Sequence, residues 1–166
     1  LDGADEAGQI FKNNHIDILV ISEGTYCPDY FVHQALIHLP GDTPLICFAS
    51  QVHTVLDFNS GYDQSLRNSG SMGIVQLTGG FRKMGKYEKY EVVAGAIDDD
   101  EVYAQIDRLI QVFTTIKNLK HMTIGIIGHV FRGMYDFNFD KTSINGKFGT
   151  HVMDINVDHL IGIYDE

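Results

Sequence analysis

The sequence predicts a three-layer α/β fold, a parallel sheet with helices on both faces, and three observations carry that expectation. Ile16 to Ile21 (IDILVI) is an apolar, β-branched run without polar alternation, which a strand buried on both faces of a parallel sheet requires. Similar short runs recur at Pro44 to Phe48, Tyr90 to Ala96, Thr123 to Ile127 and His151 to Asn156, with helical patterns between them. The runs open onto polar or glycine-containing loops, such as Ser22 to Thr25 and Gly128, at the edge where parallel sheets present side chains to a cleft.

Taken in order, the first element is a helix from Asp5 to Asn13, with Ala7, Ile10 and Phe11 on one face. Because a parallel sheet usually opens on a strand and this chain opens on Leu1 and a helix, a first strand is expected upstream. After the IDILVI strand, Pro28 suits the first turn of a helix that runs to about Leu39 with Phe31, Ala35, Leu36 and Leu39 inward. Pro40, Gly41 and Asp42 stop it. A long polar connection from Ala49 to Gln64 then carries Gln51, His53, Asp57 and Asn59 toward a cleft. Between Ser65 and Gly85, Met72, Val75, Leu77 and Phe81 predict an amphipathic helix, although Gly70, Gly73, Gly79 and Gly80 each weaken one by about 1 kcal/mol relative to alanine.

Asp98, with Glu101 three residues on, resembles a capping box at the start of the clearest helix. Val102, Ile106, Leu109, Phe113 and Ile116 form its apolar stripe, and Lys117 and Lys120 suit the negative end of its dipole. Asp140 is a candidate N-cap for a short helix from Lys141 to about Phe148, and the tail after Asn156 is helical or irregular. The order of elements predicts a Rossmann-like or flavodoxin-like three-layer arrangement lacking its first strand. An amino-terminal domain is expected over residues 1–119, with 120–166 beginning a second α/β domain or continuing the same sheet.

Composition narrows the function. Acids outnumber bases 22 to 12 and the formal net charge is −10, which disfavours a nucleic-acid backbone as partner. No apolar run approaches the roughly 18 residues a membrane span needs. Cys27 and Cys47 sit in apolar surroundings without a leading signal peptide, so a reduced pair and a cytoplasmic location are expected. The eight histidines show neither H-x-x-x-H nor Cys-His spacing of a zinc site. A dinucleotide fingerprint after a strand, a P-loop and a serine-hydrolase elbow are all missing from the sequence.

The most informative run is GHVFRGMYDFNFDKT, Gly128 to Thr142, with Phe131 and Arg132 at the bend and Asp140 and Lys141 at the next helix. Together with TYCPDYF after a buried strand, CFASQ, the helix SGSMGIVQLTGGFRKMG and the return KFGTHVMDIN, it resembles consecutive pieces of the L-fucose/L-arabinose isomerase family, in the same order and nearly end to end. The pieces match that family's amino-terminal and early middle regions.

The resemblance implies a portion of a sugar isomerase that interconverts an aldose and a ketose through an enediol. It also implies a divalent metal, usually Mn2+, and a homo-oligomer with sites at subunit boundaries. The family's metal-binding and proton-transferring glutamates and histidines lie downstream, so this segment is expected to hold no metal, to carry no catalytic residue and to be inactive alone. Its share of the site would be substrate-pocket walls and subunit contacts. Carried over by position, pocket-lining residues fall on Tyr26 and Phe131, with Arg132 placed to bind a hydroxyl or an acidic group. At the start of the glycine-containing helix, arabinose isomerases carry a histidine that reaches a neighbouring subunit's sugar; Met72 stands here, which favours a sugar other than arabinose.

Each of these residues has a plainer role to weigh. Tyr26 also fits a packed rim aromatic, Phe131 a cap on the core, and Arg132 an ion-pair partner of Asp136 or Asp140. Asp136, Asp140 and Asp154 would make a magnesium site only if they converged, and His129 fits a supporting role better than catalysis. The second function class is a non-catalytic sugar-binding module, since α/β architecture by itself does not decide function.

Overall fold

The computed structural model describes residues 1–55, 57, 59, 62–129, 133–134 and 139–165. It is a mixed α/β chain with two parallel sheets among the described residues, one of three strands and one of two. The chain divides into two compact units, Leu1–Phe113 and Thr114–Glu166.

In the first unit, helix α1 spans Asp2–Asn13, strand β1 Leu19–Ser22, helix α2 Tyr30–Leu36 and strand β2 Leu45–Gln51. Helix α3 (Asp63–Arg67) and helix α4 (Gly70–Met84) follow, then strand β3 (Tyr90–Ala96) and helix α5 (Asp100–His121), whose last turns belong to the second unit. The sheet order is β1-β2-β3, all parallel, with Leu19 opposite Leu45 and Leu45 opposite Tyr90.

Strand β2 lies between the other two, and Leu45 through Ser50 are all buried. Its alternate side chains feed two cores. Leu45, Cys47 and Ala49 pack with Leu36 of α2 and Ile74, Leu77 and Phe81 of α4, while Ile46 and Phe48 pack with Val93 and with Val102 and Ile106 of α5. Helices therefore cover both faces, which is why the strand shows no polar alternation. Since α2 and α4 lie on one face while the chain steps from β1 to β2 to β3, the two crossovers have the same hand as each other.

Several local expectations are corrected. Helix α2 begins at Tyr30, with Pro28 supplying a carbonyl to the Phe31 amide, and ends at Leu36, so Leu39 is buried beyond the helix. The long polar connection is shorter than its composition suggests, because β2 runs on to Gln51 and α3 starts at Asp63. Helix α4 buries Gly70, Gly73, Ile74, Leu77 and Phe81, leaving Met72 and Val75 outside. Two glycines thus form part of the packed stripe, and hydropathy does not register them. The α5 cap comes from Asp99, whose Oδ1 accepts the Glu101 amide at 2.9 Å, and not from Asp98. Ile116 is exposed, so the stripe that packs on the first sheet ends at Phe113.

The second unit holds strand β4 (Thr123–Ile127), helix α6 (Lys141–Phe148), strand β5 (His151–Ile155) and helix α7 (Val157–Tyr164). Strands β4 and β5 pair in parallel, Thr123 opposite His151 and Ile127 opposite Ile155. Thr150 is buried where the chain enters β5, and its hydroxyl donates to the Leu119 carbonyl at 2.7 Å. β4 departs from the expected buried strand: among the described residues Ile124 and Ile127 are exposed, so its faces are not covered on both sides as a central strand's are.

The cap on α6 is the one read from sequence. The Asp140 carboxylate accepts the Thr142 and Ser143 amides at 2.9 and 3.1 Å, satisfying two of the four donors a helix start leaves open. Asp140→Ala is expected to cost the second unit about 1 kcal/mol. Amide exchange should quicken first at Thr142 and Ser143, and unchanged exchange at both would contradict the cap's energetic role.

Candidate functional site

Parallel sheets offer ligands the loops at the carboxyl ends of their strands. In the first unit those loops are Glu23 to Cys27 after β1 and Val52 to His53 after β2, and both meet the start of α4. Ser69, just before α4, accepts the Tyr26 amide on its hydroxyl at 3.0 Å and shares a hydrogen bond with the Thr25 hydroxyl at 3.1 Å. The Tyr26 hydroxyl donates to Gln76 Oε1 at 2.8 Å. Both ends of Tyr26 are thereby tied to α4, yet the residue remains 48% exposed. It is a held aromatic at a rim, with surface left over for a partner.

Met72 stands one turn before Gln76 on α4 and is 69% exposed. Residues four apart share a helix face, so the structure brings Met72 and Tyr26 to the same side of α4. Beside them Asn68 braces the exit of β2. Its Oδ1 accepts the amides of Val52 and His53 at 2.9 and 3.0 Å, and its Nδ2 donates to the His53 carbonyl at 2.6 Å.

Beneath this surface lies a residue the sequence reading did not single out. Glu23 is 6% exposed at the carboxyl end of β1, with Oε2 accepting the Cys27 amide at 3.3 Å and Oε1 buried without a partner. Burial raises its pKa above the usual carboxyl value; the Cys27 bond opposes that rise and the nearby Asp29 charge adds to it. The available signal was its position, an acid placed directly after a buried apolar run and facing a helix that opens with glycines.

In the second unit, a hollow of about 690 Å³ sits at the carboxyl edge of β4 and β5. Gly128, His129, Phe139, Lys141, Asp154 and Val157 are among its walls. Gly128 has φ +86°, a conformation that turns the chain out of β4 at little cost only because the residue is glycine. The Lys141 ammonium pairs with the Asp154 carboxylate, and Phe139 and Val157 add apolar surface beside the polar groups. Such a lining suits a small hydroxylated molecule better than a purely apolar one.

Of the four residues named from sequence, Tyr26 and Met72 come together in the first unit. Phe131 and Arg132 lie outside the described residues, as does Asp136, so the shared wall of Tyr26 and Phe131 and the ion pair of Arg132 are not described. His129 enters the hollow of the second unit. Asp140 is used as a cap and Asp154 as the partner of Lys141, which accounts for both acids without a magnesium ion. Among the described residues no three His, Cys, Asp or Glu side chains gather as metal ligands. Also among them, no helix is long and apolar enough to cross a membrane.

No family model matches this chain, and no curated protein matches it either.

Proposed function

We propose that this chain is a portion of a metal-dependent isomerase that interconverts an aldose and a ketose, and that it supplies walls of the sugar pocket. The observation that carries the proposal is the hollow at the carboxyl edge of β4 and β5, whose lining mixes polar side chains such as His129, Lys141 and Asp154 with apolar ones such as Phe139 and Val157. The sequence resemblance supports the same class, and the tethered, half-exposed Tyr26 supports a wall in the first unit. The parent protein is read as a cytoplasmic homo-oligomer.

The residues described here do not make a manganese site, so no step of the reaction is assigned to a metal held by this chain. What its own side chains do is bind and orient. The Lys141 ammonium and Asp154 carboxylate offer a donor and an acceptor to sugar hydroxyls, and the His129 imidazole offers either. Phe139 and Val157 suit the C–H face of a sugar ring. Closing water away from the reacting carbon and moving its proton fall to groups beyond this chain.

The test is made on the parent polypeptide with manganese, across aldopentoses and 6-deoxyaldohexoses, following ketose formation. Turnover of at least one sugar, lost with chelator, is expected. Lys141→Met should lower kcat/KM by roughly tenfold, the value of one charged hydrogen bond to substrate. Sugar binding without turnover on any aldose would replace the enzyme with a non-catalytic sugar-binding module, and absence of both would remove the carbohydrate assignment.

A further inference from the structure

Glu23 carries an unusual burden. Its backbone carbonyl accepts the Ser50 hydroxyl of β2 at 3.0 Å, its Oε2 accepts the Cys27 amide, and its Oε1 is buried with no partner. Helix α4 comes closest to it at two glycines, Gly70 and Gly73. A Cβ at Gly70 would collide with the Glu23 carbonyl oxygen and one at Gly73 with the Glu23 carboxylate. Carboxyl, loop and helix are therefore in direct contact, with no space for solvent to stabilise a charge at Oε1. Ser69, which holds the Tyr26 amide and the Thr25 hydroxyl, is the residue immediately before this contact.

We propose that Glu23 is a positioning residue for Tyr26: its neutral carboxyl lets the Thr25 to Cys27 turn close onto the first turn of α4, and ionisation of that carboxyl opens the turn. The relevance to substrate rests on Tyr26 being a pocket wall; the latch itself does not.

Of the two ionisable groups near the carboxyl, one acts against its charge and the other carries none. Asp29, at the head of α2, is a like charge. Cys47 on β2 is pushed up to about 12 by burial and by Glu23 itself, so it stays a neutral thiol. From α4 come Gly70 and Gly73, which carry no charge. The Cys27 amide favours the carboxylate, but it is one long bond set against the desolvation of two oxygens. With the pKa raised in the closed turn, closure is fully supported below the ordinary value near 4.5, and that support is lost as pH rises through the raised value.

Amide hydrogen exchange on the whole 166-residue chain tests this from pH 4.5 to 8, with rates corrected for intrinsic chemistry. In the wild type, protection of the Tyr26 and Cys27 amides should fall by up to about tenfold per pH unit until the carboxyl is fully ionised, then level off. Glu23→Gln, which keeps the shape and cannot ionise, should hold protection within about twofold over the same range. The Ile46 and Phe48 amides of β2, the central strand of the sheet, report global stability and should show neither behaviour. An equal fall in wild type and Glu23→Gln would overturn the proposal. Gly73→Ala gives a second route, since its methyl displaces the carboxyl directly; the turn should then be open already at pH 4.5, and a closed turn in that variant would also overturn it. A pH-dependent turn in a chain whose Tyr26 signals ignore added sugar supports the latch while removing the pocket wall.

Discussion

Phe81→Ala is expected to destabilise the first unit by about 3–5 kcal/mol, the largest effect of any single truncation considered. Phe81 is 1% exposed and joins α4 to β2 and β3 at one point. Its ring lies 5.3 Å from Tyr87, 5.5 Å from Tyr90 and 5.5 Å from His33 between centroids, the first two tilted and the last edge-on. Removing it forfeits the burial of a large apolar side chain, leaves a cavity, and breaks three ring contacts worth about 0.5–1.5 kcal/mol each. A domain of this size has about 5–15 kcal/mol of stability in all, so the variant should sit near the edge of folding. Urea unfolding followed by tyrosine fluorescence measures it. Phe81→Leu keeps most of the volume and should lose about 1–2 kcal/mol. A loss below about 1 kcal/mol for the alanine variant would show that α4 packs on the sheet less tightly than described.

Strands were legible because short apolar, β-branched runs bounded by polar or glycine-containing residues mark them locally, whether or not the fold goes on to bury both faces. Tyr90 to Ala96 and Thr123 to Ile127 match β3 and β4 residue for residue. The Asp140 cap was legible for a similar reason: side chain, bend and following helix are local, so the sequence contains the whole interaction. The α5 cap shows the limit of that logic. Asp98, Asp99 and Asp100 all fit a start signal, and the Ala96 carbonyl bound by the Asp99 amide is what places Asp99 at the cap.

The candidate site was legible only where the interaction is local or the residue stands out chemically. Tyr26 is an aromatic after a strand and was marked; Ser69, Asn68 and Gln76, which hold its surroundings, lie more than forty residues away in sequence and look like ordinary polar positions. Glu23 was hidden by a different effect. Carboxylates are rarely buried without a partner, so the sensible expectation for an acid in a loop is exposure. What overrides it is close packing against Gly70 and Gly73, and a residue with no side chain leaves no mark in a hydropathy pattern. The same blindness made Met72 and Val75 look like the inward stripe of α4 when the glycines and Ile74 occupy it.

Gly70→Ala is expected to cost about 2–3 kcal/mol, against the ordinary gain of up to about 1 kcal/mol when glycine becomes alanine inside a helix. The sign depends on what the new methyl meets. At Gly70 it meets the Glu23 carbonyl, which is backbone, belongs to the loop leaving β1 and is itself bound by the Ser50 hydroxyl, so it cannot rotate away as a side chain would. Either α4 backs off the sheet, loosening Ile74 and Leu77 in the core, or the loop lifts and carries Tyr26 away from Ser69. Gly79, on the same helix, has nothing within 4 Å of the position a Cβ would take. Gly79→Ala should therefore gain about 0.5–1 kcal/mol from helix propensity alone. Chemical denaturation of the two variants side by side decides the matter, and tyrosine signals report whether the Gly70 variant releases Tyr26. Equal and stabilising effects at both positions would mean that α4 and the loop after β1 do not touch at Gly70, and the whole arrangement around Glu23 and Tyr26 would then have to be redrawn.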